Sequence, residues 1–151
     1  MLLAFAFFLN TLLMSATILL HYESLFYLDK TLKRLTHIKP RLKVLIGVAV
    51  IFVTHVIEIW IFGLGFFLSL QIEGMGQLVG ATGQLFLDCV YFSFITYTTV
   101  GYGDLVAQGP IRYLTGAEAL TGLILITWSA SFLFMEMQRH WADDKKNTPK
   151  N

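Results

Sequence analysis

Apolar side chains run almost without interruption through three long stretches of the chain, and charged residues collect in the gaps between them. Residues 1–20 hold no charged side chain, and their polar members are only Asn10, Thr11, Ser15 and Thr17. About 20 apolar residues cross the hydrocarbon core of a bilayer as a helix, so this stretch predicts a span over residues 2–27. A signal peptide would begin with basic residues and end at a small-residue cleavage site. Neither is present, and the helix is expected to be retained. The second stretch, Val44–Leu70, carries His55 and Glu58; the third, Ile111–Met137, carries Glu118. Between them, Leu85–Val100 is apolar and aromatic but too short to cross, the length of a buried or re-entrant segment. Gly74, Gly76, Gly80 and Gly83 mark residues 71–84 as the loop leading into it.

Charge orients these pieces. Lys30, Lys33, Arg34, Lys39, Arg41 and Lys43 lie between the first and second stretches, Arg139, Lys145, Lys146 and Lys150 follow the third, and only Arg112 lies on the other side. Basic residues favour the cytoplasmic face, so the N-terminus is expected outside and the C-terminus inside. Tyr22, Phe26, Tyr27 and Trp141 then fall where an inner aromatic belt belongs. The composition, 56% hydrophobic and 14% charged, departs far from the roughly one-quarter charge of soluble domains. The single cysteine, Cys89, excludes an internal disulfide and a cysteine-rich metal cluster. No catalytic constellation, nucleotide loop or nucleic-acid patch appears, so an enzyme and a nucleic-acid binder are not expected.

The chemistry concentrates in Thr98-Thr99-Val100-Gly101-Tyr102-Gly103-Asp104, set between the short apolar segment and the third span. Irregular backbone is tolerated at membrane depth only where it lines a cavity or is enclosed by protein. Two glycines alternating with bulky residues adopt left-handed backbone angles that other residues resist, which lets successive carbonyls turn toward a shared axis. Val100 and Tyr102 then point away and brace the ring, and the Thr99 hydroxyl adds an oxygen below.

These residues resemble the potassium-channel signature, in which four TVGYG loops replace an ion's hydration shell with carbonyl oxygens. The resemblance covers residues 43–137 and follows the order of the two-span pore module of bacterial potassium channels. It implies an all-α membrane protein: three transmembrane helices plus a re-entrant pore helix and selectivity filter, assembled as a tetramer. The expected divisions are an extra N-terminal helix over 1–28, a basic cytoplasmic linker over 29–42, a pore domain over 43–138 and a cytoplasmic tail over 139–151. Within the pore domain the outer helix is 43–70, the pore helix 85–97, the filter 98–104 and the inner helix 111–137. The resemblance further implies K⁺ held by Thr99, Val100, Gly101, Tyr102 and Gly103, with Thr98 in support. It implies no organic cofactor, and as partners three further copies of the chain and membrane lipids, without nucleic acid. The location it implies is a bacterial inner membrane. Asp104 matches an aspartate that bonds to pore-helix aromatics; Tyr91 and Phe92 hold those positions, and since Phe92 has no donor the clamp falls to Tyr91 or water.

Several intramembrane residues admit two readings. Gly122 is a gating hinge by resemblance and a close-packing residue by composition. The same register turns Leu123, Ile126, Ala130 and Phe134 toward the cavity and inner mouth, with Phe134 a hydrophobic constriction that gates by dewetting; helical spacing alone makes the four packing residues. Glu118 either lines the cavity or bonds to the back of the pore helix through Ser93 or Thr96. His55 and Glu58 share a helix face. They form a self-satisfied polar pair or, less simply, a metal, proton-relay or pH-sensing pair, with two ligands too few for a metal. Trp60 and Trp128 read as packing. The basic stretch Lys30–Lys43 contains Pro40 and lies outside the spans, unlike a voltage sensor; it reads as a linker on anionic headgroups. With 14 residues after Met137, no cytoplasmic ligand-binding domain is expected, and Asp143–Asn151 is expected to be disordered. The leading function is passive K⁺ conduction; a weakly selective cation channel and a modulatory subunit are the alternatives, and an intramembrane metalloenzyme the remotest.

Overall fold

The computed structural model describes residues 2–83 and 85–147, with side chains of the last helix described as far as Arg139. Four helices, α1 (Leu2–Arg34), α2 (Pro40–Leu70), α3 (Leu85–Tyr97) and α4 (Arg112–Asn147), follow one another, with two short strands, β1 (Gln77–Val79) and β2 (Val106–Gln108), flanking α3. Helices α1, α2 and α4 are long and apolar enough to cross a membrane, and α3 is a shorter apolar helix.

The helix ends differ from those the hydropathy pattern predicts. Helix α1 continues to Arg34 and α2 begins at Pro40, so the linker expected over 29–42 shrinks to residues 35–39. Helix α4 passes Met137 and reaches Asn147, where a disordered tail is expected; residues 148–151 lie outside the described residues, as do the side chains of His140 and Trp141. Hydropathy reports where the hydrocarbon ends, whereas backbone hydrogen bonding carries a helix on into water. At the end of α1, Lys33 pairs with Asp29 one turn back. At the start of α2, proline fills the first turn, where its missing N–H leaves nothing unsatisfied.

Helix α1 lies against α2 and α4, while α3 is held between α2 and α4. The main core forms around α3: Phe62 and Phe66 of α2 and Cys89 and Tyr97 of α3 are fully buried, with Ile111, just before α4, and Leu114 of α4 closing it. Phe66 meets Phe92 edge to face, centroids 5.1 Å apart. The helices approach closely where α2 carries glycine: a methyl on Gly63 would lie 3.0 Å from the Val90 backbone. A second cluster joins Leu25, Leu28 and Leu32 of α1 to Ile51 of α2. There Arg139 of α4 reaches Asp29 of α1 at 3.0 Å.

The two strands are absent from the sequence reading. They pair antiparallel, Gln77 with Gln108 and Val79 with Val106, and so tie the loop before α3 to the segment that follows residues 98–104. Three-residue strands between glycines give no alternating pattern long enough to see. Phe66→Ala, which empties a fully enclosed site, is expected to destabilise the chain by about 3–5 kcal/mol. Reversible SDS unfolding in mixed micelles measures the loss, and wild-type stability would contradict the packing.

Candidate functional site

Helix α3 ends at Tyr97, and the chain doubles back over its own C-terminus. Thr98 N–H donates to the Phe94 carbonyl at 3.3 Å, Thr99 N–H to Thr96 at 2.9 Å and Gly101 N–H to Ile95 at 3.0 Å. Thr99, Gly101 and Gly103 hold positive φ (59°, 53° and 82°), while Val100 and Tyr102 between them do not. Alternating handedness of this kind aims successive peptide carbonyls to one side, the arrangement a row of cation-binding oxygens requires. Glycine meets that demand at two of the three positions without cost; Thr99 carries it as a β-branched residue, which points to function rather than to turn chemistry. Val100 and Tyr102 project outward and are 54% and 74% exposed. Behind the segment a groove of about 540 Å³ is lined by Phe92, Ile95, Thr96, Thr99, Gly101 and Gly103, among others.

The outer end of the segment is fixed by side chains. The Tyr91 hydroxyl donates to Asp104 Oδ2 at 2.8 Å, and Phe92 turns into the core instead. Asp88 accepts from the Thr82 N–H and hydroxyl, each at 2.9 Å, docking the incoming loop on the first turn of α3.

Glu118, fully buried, lies behind α3 and accepts a hydrogen bond from Ser93, whose hydroxyl also lies 2.7 Å from the Ile59 carbonyl. Its second oxygen is the buried side-chain oxygen without a hydrogen-bond partner among the described residues. Gly122 packs against the carbonyl and ring of Tyr97, which a methyl would strike, and α4 passes through it unbroken. Close packing is therefore the reading of Gly122 that has a contact. Leu123, Ile126, Ala130 and Phe134 share an uncovered face of α4.

His55 and Glu58 do not stand alone. Glu58 is fully buried, and its two oxygens meet His21 Nδ1 of α1 and His55 Nδ1, each at 2.9 Å. The Tyr97 hydroxyl donates to the same carboxylate. Ser129 of α4 sits 3.1 Å from His55 Nε2 and 3.2 Å from His21 Nε2. All four helices thus contribute to one polar knot beneath the end of α3. The sequence reading finds two of its members and misses His21, Tyr97 and Ser129. His21 carries a signal that could have found it, an ionisable side chain inside a predicted span.

Comparison with known proteins follows the same outline. The profile of a family described as "Ion channel" matches residues 44–139, more than half of the chain. A 53-residue stretch is 38% identical to "Two-pore potassium channel 4" of Arabidopsis thaliana, covering 34% of this chain and 19% of that protein. The chain therefore spans about a fifth of the relative it matches. No solved structure matches.

Because Gly122 rests on the Tyr97 backbone, Gly122→Ala is expected to push α4 away from α3 and destabilise the fold by about 1–3 kcal/mol. Thermal unfolding in detergent reads the shift, and an unchanged midpoint would show that the two helices are not in register there.

Proposed function

The chain belongs to this ion-channel family, and from that premise we propose that it is the pore-forming subunit of a potassium-selective channel, four copies of which surround one permeation path. The observation that carries the proposal is the alternation of handedness at Thr99, Gly101 and Gly103, within the sequence Thr-Val-Gly-Tyr-Gly and directly after a short apolar helix. In this reading Thr98–Asp104 is the selectivity filter. Carbonyls of Thr99 to Tyr102 and the Thr99 hydroxyl replace the water around K⁺, and each α3 aims its C-terminal end, with its partial negative charge, at a cation below. K⁺ is the transported ion; no organic cofactor takes part.

Three further features support the reading. Val100 and Tyr102 leave large apolar surface uncovered beside the groove behind the segment, the complementarity expected where a neighbouring copy docks. The uncovered face of α4 carries Leu123, Ile126, Ala130 and Phe134 toward the same side, as the lining of a central cavity with Phe134 at its inner mouth. The matched plant protein is itself named a potassium channel. Basic residues gather around the α1–α2 turn and toward the C-terminal end of α4, so we assign that face to the cytoplasm and the N-terminus to the outside. The resemblance to bacterial two-span channels makes a bacterial inner membrane the proposed location.

Purified full-length protein in liposomes tests the proposal. K⁺ flux without any other subunit is expected, with a bi-ionic K⁺/Na⁺ reversal potential far from zero. Reversal near zero would sink the selective reading, and absence of flux would favour a modulatory subunit. Tyr91→Phe removes the donor that holds Asp104. It is expected to shorten single-channel dwell in the conducting state roughly threefold to tenfold, the net worth of one solvent-exposed hydrogen bond.

A further inference from the structure

We infer that His21, His55 and Glu58, with the Tyr97 hydroxyl, form a binding site for a divalent transition-metal ion of the zinc class. One ligand atom from each of His21, His55 and Glu58 can be chosen so that all lie within 4.8 Å of one another. Two imidazoles and a carboxylate are a donor set suited to zinc, and the phenolic oxygen supplies a fourth corner and a closed, structural site. The contacts are near the required size. Zinc bonds to nitrogen and oxygen of about 2.0–2.1 Å in a tetrahedron place ligand atoms about 3.3 Å apart. Here Nδ1 of each histidine lies 2.9 Å from a Glu58 oxygen, and His55 Nδ1 lies 3.0 Å from the Tyr97 hydroxyl. These three contacts open by a few tenths of an ångström, and any pair at the 4.8 Å limit closes by about 1.5 Å, to admit the ion.

Hydrogen counting supplies the independent argument. Glu58, His21, Ser129 and His55 close a ring of four contacts. With the carboxylate ionised and both imidazoles neutral, the ring contains three hydrogens, one on each imidazole and one on the hydroxyl. One contact of the ring is then left without a hydrogen of its own, and the Tyr97 hydroxyl, 3.0 Å from His55 Nδ1 and already donating to Glu58, has a single hydrogen to share between them. A cation bound at both Nδ1 atoms removes the conflict. It moves each imidazole hydrogen to Nε2, and Ser129 Oγ, with two lone pairs, accepts both. Metal-bound histidines characteristically donate their second N–H to an oxygen in this way. Trp128 covers the His21 ring at 5.5 Å and closes the site on that side. The ion would link α1, α2 and α3 directly and α4 through Ser129, immediately behind the residue from which Thr98–Asp104 departs.

The test needs no ion flux, so it stands apart from the potassium reading. Full-length protein, freed of any affinity tag, is purified in detergent, stripped with a chelator and dialysed against Zn²⁺ or Co²⁺. The expected result is about one metal ion per chain by elemental analysis, and a Co²⁺ visible spectrum of four-coordinate intensity. Both should disappear in His21→Gln and Glu58→Gln. Ser129→Ala leaves every ligand in place and guards against a folding failure of those variants; it should weaken affinity about 10–100-fold. A folded wild type that stays metal-free would mean that an extra proton closes the ring, and would overturn the proposal. So would a six-coordinate Co²⁺ spectrum, or stoichiometry that survives His21→Gln and Glu58→Gln.

Discussion

A peptide backbone that leaves helical geometry inside a bilayer finds no water for its N–H and C=O groups. Every feature around residues 98–104 answers to that constraint. The first turns of the segment spend their N–H groups on the last carbonyls of α3. The Tyr91–Asp104 bond and the β1–β2 ribbon hold the far end. Around these, α2 and α4 supply apolar walls, and α1 closes the outside. In the proposed reading, the carbonyls left over are those that an ion uses.

The same economy of polar groups explains the buried acids. A carboxylate in hydrocarbon is tolerated when it is paired or enclosed. Glu118 is enclosed behind α3 beside Ser93, and Glu58 is surrounded by two imidazoles and a phenol. Neither is on the uncovered face of α4. Both brace the back of the short helix, so polar residues within the spans serve the positioning of α3 from three directions.

Much of this is legible in the sequence because it is local. Span number and type follow from runs of apolar residues, and Thr98–Asp104 announces itself in seven consecutive positions. What depends on distant partners is not legible. His21 meets Glu58 across 37 positions and Ser129 across 108, and nothing in the spacing of an apolar helix says which of its faces meets which neighbour. Gly122 carries the same lesson: hinge and close-packing residue look alike in sequence, and only the nearness of the Tyr97 carbonyl distinguishes the contact. The helix ends are missed for a different reason, since charge sets the depth of the membrane but not the last hydrogen-bonded turn.

The β1–β2 ribbon has an architectural consequence. By joining Gln77–Val79 to Val106–Gln108, it makes everything between them a loop closed at its neck, with α3 and the segment 98–104 inside. Strain or motion in the long spans reaches that loop through its neck and through the packed flank of α3. Insertions in the chain outside the neck change what surrounds the loop, while a single residue added between Asp104 and Val106 that shifts the ribbon's register would turn Ala107, the inward side chain of β2, outward.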